Sequence, residues 1–292
     1  MTILVTGATG QVGRLVVRGL VGAGADVRAL TRDPAAATGV PDGVKLLAGD
    51  LSRPDSIRDA LAGVERMYLF PVTETASEVV ALAKEAGVRR IVVLSSAAAA
   101  DGSDTTFHLP VERAVEESGL EWTHVRPGEF MANKIHLWGP SVRERRVVRH
   151  PGPDDVWLPV HEQDIADVAV TALLEDGRVG AAHVLHGPEP ISLREQVGAI
   201  AAAIGEEVRM ERNTREEARA EYIAQGGFAA EAADLLLGFT DYEGNPLDPA
   251  EDSGEGGFDL SAFGLLPSLN DAIGRPGRTF AEWARDHADD FR

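Results

Sequence analysis

The chain has 292 residues, 28 basic and 47 acidic, for a formal net charge of -19, and it contains no cysteine. With 44% hydrophobic and 26% charged residues, its composition is that of a globular protein large enough for one α/β domain or a domain with a smaller appendage. The missing cysteines exclude disulfides, a thiolate nucleophile, cysteine-held zinc and iron–sulfur clusters, and the acidic balance argues against a nucleic-acid partner, whose phosphates demand basic neutralisation.

The first strand is predicted at 2–6, so no secretory leader is expected ahead of the fold. Further strands are predicted at 26–31, 44–48, 66–70, 90–95 and 121–126, each a near-continuous run of Val, Ile and Leu suited to burial on both faces. Between them, 11–23, 53–62, 75–86 and 106–118 have helical spacing, and Gly87 and Gly119 stand where a left-handed C-cap suits glycine. Strands alternating with helices predict an α/β fold, a Rossmann-type doubly wound parallel sheet.

After Pro127 the rhythm breaks. The stretch 128–140 reads as mixed, 143–150 as a short basic run, and Arg143-Glu-Arg-Arg146 as a solvated surface. Helices are predicted at 164–175, 192–204, 214–225, 229–237 and 279–288, with a short strand at 183–186. The span 241–259 holds seven acidic residues, no basic ones and four glycines, and reads as a mobile loop. The expected organisation is a cofactor-binding core at 1–128 and a mainly substrate-binding region at 129–292, with elements near 160–187 returning to the core. Residues 1–150 carry 18 basic and 18 acidic side chains, so the whole excess of -19 lies in the second half. The most apolar stretch, 91–100, is far too short to span a bilayer. A cytoplasmic protein without membrane contact, monomeric or homodimeric, is the expectation.

The sharpest motif is Thr6-Gly7-Ala8-Thr9-Gly10-Gln11-Val12-Gly13, which leaves the first strand and enters the first helix. Gly7 permits a tight turn, Gly10 lets backbone approach a pyrophosphate, and Gly13 lets the helix pack against the sheet. The free N–H groups of Thr9, Gln11 and Val12 complete the anion cradle. At the end of the second strand Arg32 stands where a guanidinium can clamp a 2′-phosphate, which predicts NADP(H) over NAD, with Asp33 capping the turn at Pro34. Asp50 and Leu51 follow the third strand at the adenine edge, and Phe70 and Pro71 follow the fourth near a ribose, all at carboxyl ends of parallel strands.

These segments, together with Val93-Leu-Ser-Ser96, Glu116-Glu-Ser-Gly-Leu-Glu-Trp-Thr-His-Val-Arg-Pro-Gly128 and Arg278-Thr-Phe-Ala-Glu-Trp283, resemble the atypical short-chain dehydrogenase/reductases. The nearest branch is the NmrA-like NAD(P)-binding proteins, which include quinone and ketone reductases and redox-sensing regulators. The resemblance runs essentially end to end, with 241–259 the least alike, and it is specific for the cofactor and poor for the substrate. It implies that Ser96 occupies the family's active-site serine position, with Ser95 among the cofactor contacts.

The family's usual Tyr-x-x-x-Lys is missing. The tyrosines are Tyr68, Tyr222 and Tyr242, and none has a lysine four residues later. Matching Glu112 to the glutamate of the Lys-x-x-x-Glu pattern in related extended members puts His108 at the lysine position and Asp104 at the tyrosine position. A register one helical turn away puts His108 at the tyrosine position instead. The expected function is hydride transfer from NADPH to a quinone or conjugated aromatic ketone, with His108 and Ser96 as catalytic candidates, because such an acceptor stabilises its own anion. The rival is a non-enzymatic NADP(H) sensor. Phe130, Asn133, Trp157 and His161 are the substrate candidates, for a small, apolar aromatic molecule; Met131 and Trp138 read as core, His124 as structural, and Lys134 as a weak alternative donor. No metal-ligand spacing stands out.

Overall fold

The computed structural model describes residues 1–247 and 272–292. It divides into two compact units. The first gathers Met1–Pro127 and Glu162–Leu185 with a short return that includes Arg275, and the second holds, among the described residues, Gly128–His161, residues 186–247 and Pro276–Arg292.

The first unit carries a seven-stranded, all-parallel sheet in the order β3-β2-β1-β4-β5-β6-β9. Its strands are β1 (Thr2–Val5), β2 (Asp26–Thr31), β3 (Lys45–Ala48), β4 (Arg66–Leu69), β5 (Arg90–Leu94), β6 (Glu121–Pro127) and, after the second unit has been entered and left, β9 (Ala181–Leu185). This is the doubly wound order predicted from the alternation of apolar runs and amphipathic segments. Every residue of β5 is buried, as helices on both faces require. The helices are α1 (Gly13–Gly22), the single turn α2 (Arg58–Leu61), α3 (Ala76–Glu85), α4 (Ala97–Asp101), α5 (His108–Glu117) and α7 (Glu162–Leu174).

The end of α7 is fastened by two arginines. Arg90, 1% exposed on β5, donates to the carbonyls of Ala172 and Glu175 and to the carboxylates of Glu121 and Asp176. Arg66 of β4 donates to the carbonyl of Leu173. Guanidinium groups here satisfy carbonyls that a helix terminus leaves unpaired and oppose the negative end of its dipole. Asp164, where this helix was predicted to begin, lies within it, fully buried and held by Arg275 at 2.7 Å; the helix starts at Glu162.

In the second unit, α6 (Asn133–Arg145) runs straight through Pro140, where the sequence read as mixed. Proline removes the N–H that should serve the carbonyl of His136, and Gln225 Nε2 replaces it at 2.5 Å. The basic run that follows splits into the exposed end of this helix and β7 (Val147–His150), which pairs in parallel with β11 (Arg209–Arg212). Next come the antiparallel pair β8 (Val156–Trp157) and β10 (Ile191–Ser192), then α8 (Leu193–Ile204), α9 (Arg215–Gln225), α10 (Gly227–Leu236) and the C-terminal helix Phe280–Asp286. Capping boxes start three of them, Ser192 with Glu195, Thr214 with Glu217 and Thr279 with Glu282. Trp138, Tyr222, Phe280 and Trp283 fill this unit's core. Of the predicted acidic loop, Asp241 organises a turn by accepting from Glu243 and Asn245 N–H, and 248–259 lies outside the described residues. Among the described residues no helix is long and apolar enough to cross a membrane.

Candidate functional site

The order of the sheet reverses between β1 and β4, and ligands of such sheets bind outside the strand ends at that point. The glycine motif sits there. Gly7 has φ +58°, a conformation that disfavours any side chain, and Gly10 N–H donates to its carbonyl at 2.9 Å. A Cβ on Gly13 would lie 2.1 Å from the Gly7 oxygen, so only glycine lets α1 start this close to the turn. The N–H groups of Gln11, Val12 and Gly13 meet no backbone carbonyl among the described residues. A tight turn, a close helix start and open amides are what a dinucleotide pyrophosphate requires, so these residues fit the cofactor. Phe70 closes one side. Its N–H donates to Thr6 Oγ1 at 2.8 Å, its side chain packs over Gly7, and it stays 44% exposed; Pro71 behind it is buried.

Arg32 is exposed beyond the end of β2, and its charge and that of Arg53 reach Asp50. Hydrogen bonds from Ser52 hold the Asp50 carboxyl below the usual carboxylate range. Leu51 is buried beside it. Asp33 accepts from Ala35 N–H at 3.0 Å and Ala36 N–H at 3.3 Å, the turn cap anticipated for it.

At the end of β5, Ser95 is buried and Ser96 caps α4 by accepting from Ala98 N–H at 3.2 Å. The chain then folds back, and Asp104 N–H donates to Ala98 O at 3.0 Å. Asp104, fully buried, accepts from Phe107 N–H at 2.8 Å and His108 N–H at 3.1 Å, and its Oδ2 meets His108 Nδ1 at 2.5 Å. Burial pushes this carboxyl upward, but the Phe107 and His108 bonds outweigh it and hold the pKa below the usual range. The His108 side chain remains 18% exposed. Thr73 Oγ1, just past Phe70 and Pro71, donates to Phe107 O at 2.6 Å. The segments that carry Ser96, His108 and the Phe70 turn are thus linked, beyond the ends of β4 and β5, by the Asp104 N–H bond to Ala98 O, the Asp104 carboxylate and the Thr73 hydroxyl.

The sequence profile of the NmrA-like family matches residues 1–254. The chain belongs to this family. As a member of it, the NmrA-like chain is 34% identical over 296 residues to the (4-alkanoyl-5-oxo-2,5-dihydrofuran-3-yl)methyl phosphate reductase of Streptomyces griseus, covering 99% of each. It is 33% identical over 298 residues to the NAD(P)H azoreductase of Xenophilus azovorans, again covering 99% of each. Its fold matches that of an NADPH-dependent quinone oxidoreductase from Escherichia coli complexed with NADPH, with a TM-score of 0.74 at 24% identity over 98% of this chain and 99% of that one. A triphenylmethane reductase of Citrobacter sp. complexed with NADP(H) matches with a TM-score of 0.76 at 22% identity over 99% of this chain and 100% of that one.

Within the NmrA-like chain, one turn beyond His108, Glu112 is buried and gripped by Arg126 through two hydrogen bonds of 2.8 and 2.5 Å. Glu112, Glu116 and His124 lie close enough together to hold a cation. Because Arg126 already takes both Glu112 oxygens, the group is an ion-pair network, and His124, stacked on Trp122 and bonded to Glu116 at 3.0 Å, is structural as its place on the strand suggested. Of the substrate candidates in the second unit, Phe130 is half-buried beside Val160, Asn133 begins α6, Trp157 is exposed, and His161 is buried 3.7 Å from Asp286. Lys134 is buried against Glu129 at 2.5 Å with Trp138 beneath it, which makes it part of the packing around Trp138. Sequence reasoning missed how Asp104 engages His108; an acidic residue four positions before a histidine at a helix start was its only signal.

Proposed function

We propose that the chain is an NADPH-dependent reductase that delivers hydride to a quinone or conjugated aromatic ketone. The observation that carries this reading is the glycine turn, with Gly7 left-handed, Gly13 admitting no side chain, and the amides of Gln11, Val12 and Gly13 open. The reductase and azoreductase names of its full-length relatives support it.

The open amides would receive the pyrophosphate, with Thr9 and Gly10 lining the turn, and Arg32 would pair with the 2′-phosphate. Asp50 and Leu51 would border the adenine, and Phe70, Pro71 and Ser95 the remainder of the cofactor. When bound, NADPH supplies a hydride. Ser96 accepts a backbone N–H through its oxygen, so its own hydrogen remains available for the acceptor's oxygen. His108 Nε2 supplies the proton. An acceptor that delocalises negative charge asks less of these donors than a simple ketone does, in keeping with the missing Tyr-x-x-x-Lys. Phe130, Asn133, Trp157 and His161 are assigned to an apolar aromatic substrate on their sequence position alone.

The test is NADPH oxidation against a panel containing a quinone, a conjugated aromatic ketone and an azo dye. Turnover with the quinone or ketone is expected. Tight NADPH binding with no acceptor reduced would instead favour an NADP(H)-sensing role.

A further inference from the structure

The contact between Asp104 and His108 is more specific than holding the turn ahead of α5 requires. The N-cap position of α5 is Phe107, and a carboxylate that only orders the turn before it needs one oxygen for the backbone. Asp104 Oδ1 does this, accepting from Phe107 N–H at 2.8 Å and from Thr106 and His108 N–H at 3.3 Å. The second oxygen accepts from His108 N–H at 3.1 Å and also meets the imidazole at 2.5 Å, and the whole carboxylate is buried while the ring keeps partial access to solvent. Phe107 stands edge-on to the same ring at 4.7 Å and fixes its plane. Charged groups on the neighbouring elements do not compete for the ring. Along α5, Glu112 is bound to Arg126 of β6 and Glu116 to His124, Arg90 of β5 is bound to Glu121, and Glu74 and Glu78 on the side of α3 are exposed.

We propose that Asp104 is a positioning residue of the reductase, holding His108 with a proton on Nδ1 so that Nε2 is the atom that protonates the acceptor oxygen. This rests on the reductase reading above. As hydride reaches the acceptor, reducing it by two electrons and oxidising NADPH to NADP⁺, a proton leaves Nε2 of the His108 imidazolium for the acceptor's oxygen. The neutral ring left behind carries its proton on Nδ1, still bonded to Asp104, and solvent restores the lost proton. An ionised carboxylate in this place permits one neutral tautomer, with the proton on Nδ1.

The decisive variant is Asp104→Asn. The amide oxygen stays on Phe107 N–H to keep the turn, which directs the NH₂ group toward Nδ1 and gives up the 3.1 Å bond from His108 N–H. A donor there needs an unprotonated Nδ1, so the neutral ring is forced into the Nε2–H form. In ¹⁵N spectra of histidine-labelled protein, with His108 assigned through His108→Ala, the wild type should show Nδ1–H and the variant Nε2–H. The kcat should fall roughly 10²- to 10⁴-fold, with KM and NADPH affinity nearly unchanged. The same tautomer in both proteins, or a wild-type kcat in the variant, would overturn the proposal. If Asp104→Asn does not fold, Asp104→Ser keeps an oxygen for the turn and leaves Nδ1 unpartnered; it should lose kcat in the same way, and an unimpaired kcat would refute the role. If the wild type reduces no acceptor, the reductase reading fails, and the tautomer measurement alone decides whether Asp104 sets the state of His108.

Discussion

On the proposed reading, cofactor choice turns on two adjacent side chains, Arg32 and Asp33. A carboxylate at the end of β2 would favour NAD by bonding the ribose hydroxyls. Asp33 has the right chemistry, but its Oδ1 is occupied by the Ala35 and Ala36 amides, while Arg32 is exposed and near Asp50. A guanidinium hydrogen-bonded to phosphate contributes about 1.5–3 kcal/mol, and a carboxylate in its place adds repulsion. Arg32→Glu should therefore lower the ratio of kcat/KM for NADPH over NADH by about 10²-fold, measured with both cofactors at fixed acceptor. An unchanged ratio would remove Arg32 from the 2′-phosphate site.

Among the elements, the join between the glycine turn and α1 admits no side chain. Gly13→Ala places a methyl 2.1 Å from the Gly7 carbonyl, and the obstacle is backbone that cannot rotate aside. This variant should lose NADPH binding by more than 10-fold in titrations while the sheet persists by circular dichroism; wild-type affinity would show that the turn is not the cradle. This join was legible because the glycine spacing, the strand before it and the helix after it all point to the same geometry. The capping boxes were open to reading for the same reason. The parallel pairing of β7 with β11 was not, since Arg209-Met-Glu-Arg212 has the charge of a surface loop and owes its place to Val147 and Val148 across the ladder. The helix through Pro140 was equally hidden, because its continuity depends on Gln225, 85 positions away. The buried place of Asp164 inside α7 was hidden too, because Arg275, which neutralises it there, lies more than a hundred residues later.

At the scale of the whole molecule, the charge of -19 is a property of the later half of the chain, whereas the first 150 residues, which supply most of the sheet, balance at zero. Net charge of this size favours solubility and says nothing about the fold. The response to acid depends on individual groups. His150 is held at a pKa of about 4, first by burial and then by the charge of Lys134. An unfolded histidine takes up its proton near 6.5, so between pH 6.5 and 4 the unfolded chain binds a proton that the native protein refuses, and stability falls as pH falls. The loss attributable to this group is about 3 kcal/mol. Denaturant titrations at pH 7 and pH 4.5 should show it, and His150→Gln should flatten that difference; an equally steep dependence in the variant would exclude His150 as its source.

The reductase reading itself is tested most directly by a single turnover, with the NADPH-saturated protein mixed against excess quinone in a stopped-flow spectrometer. Absorbance at the nicotinamide band should disappear at a rate no slower than kcat, and deuterium at the transferred C4 position should slow it. Bound NADPH that keeps its absorbance in the presence of every acceptor tried would contradict the account.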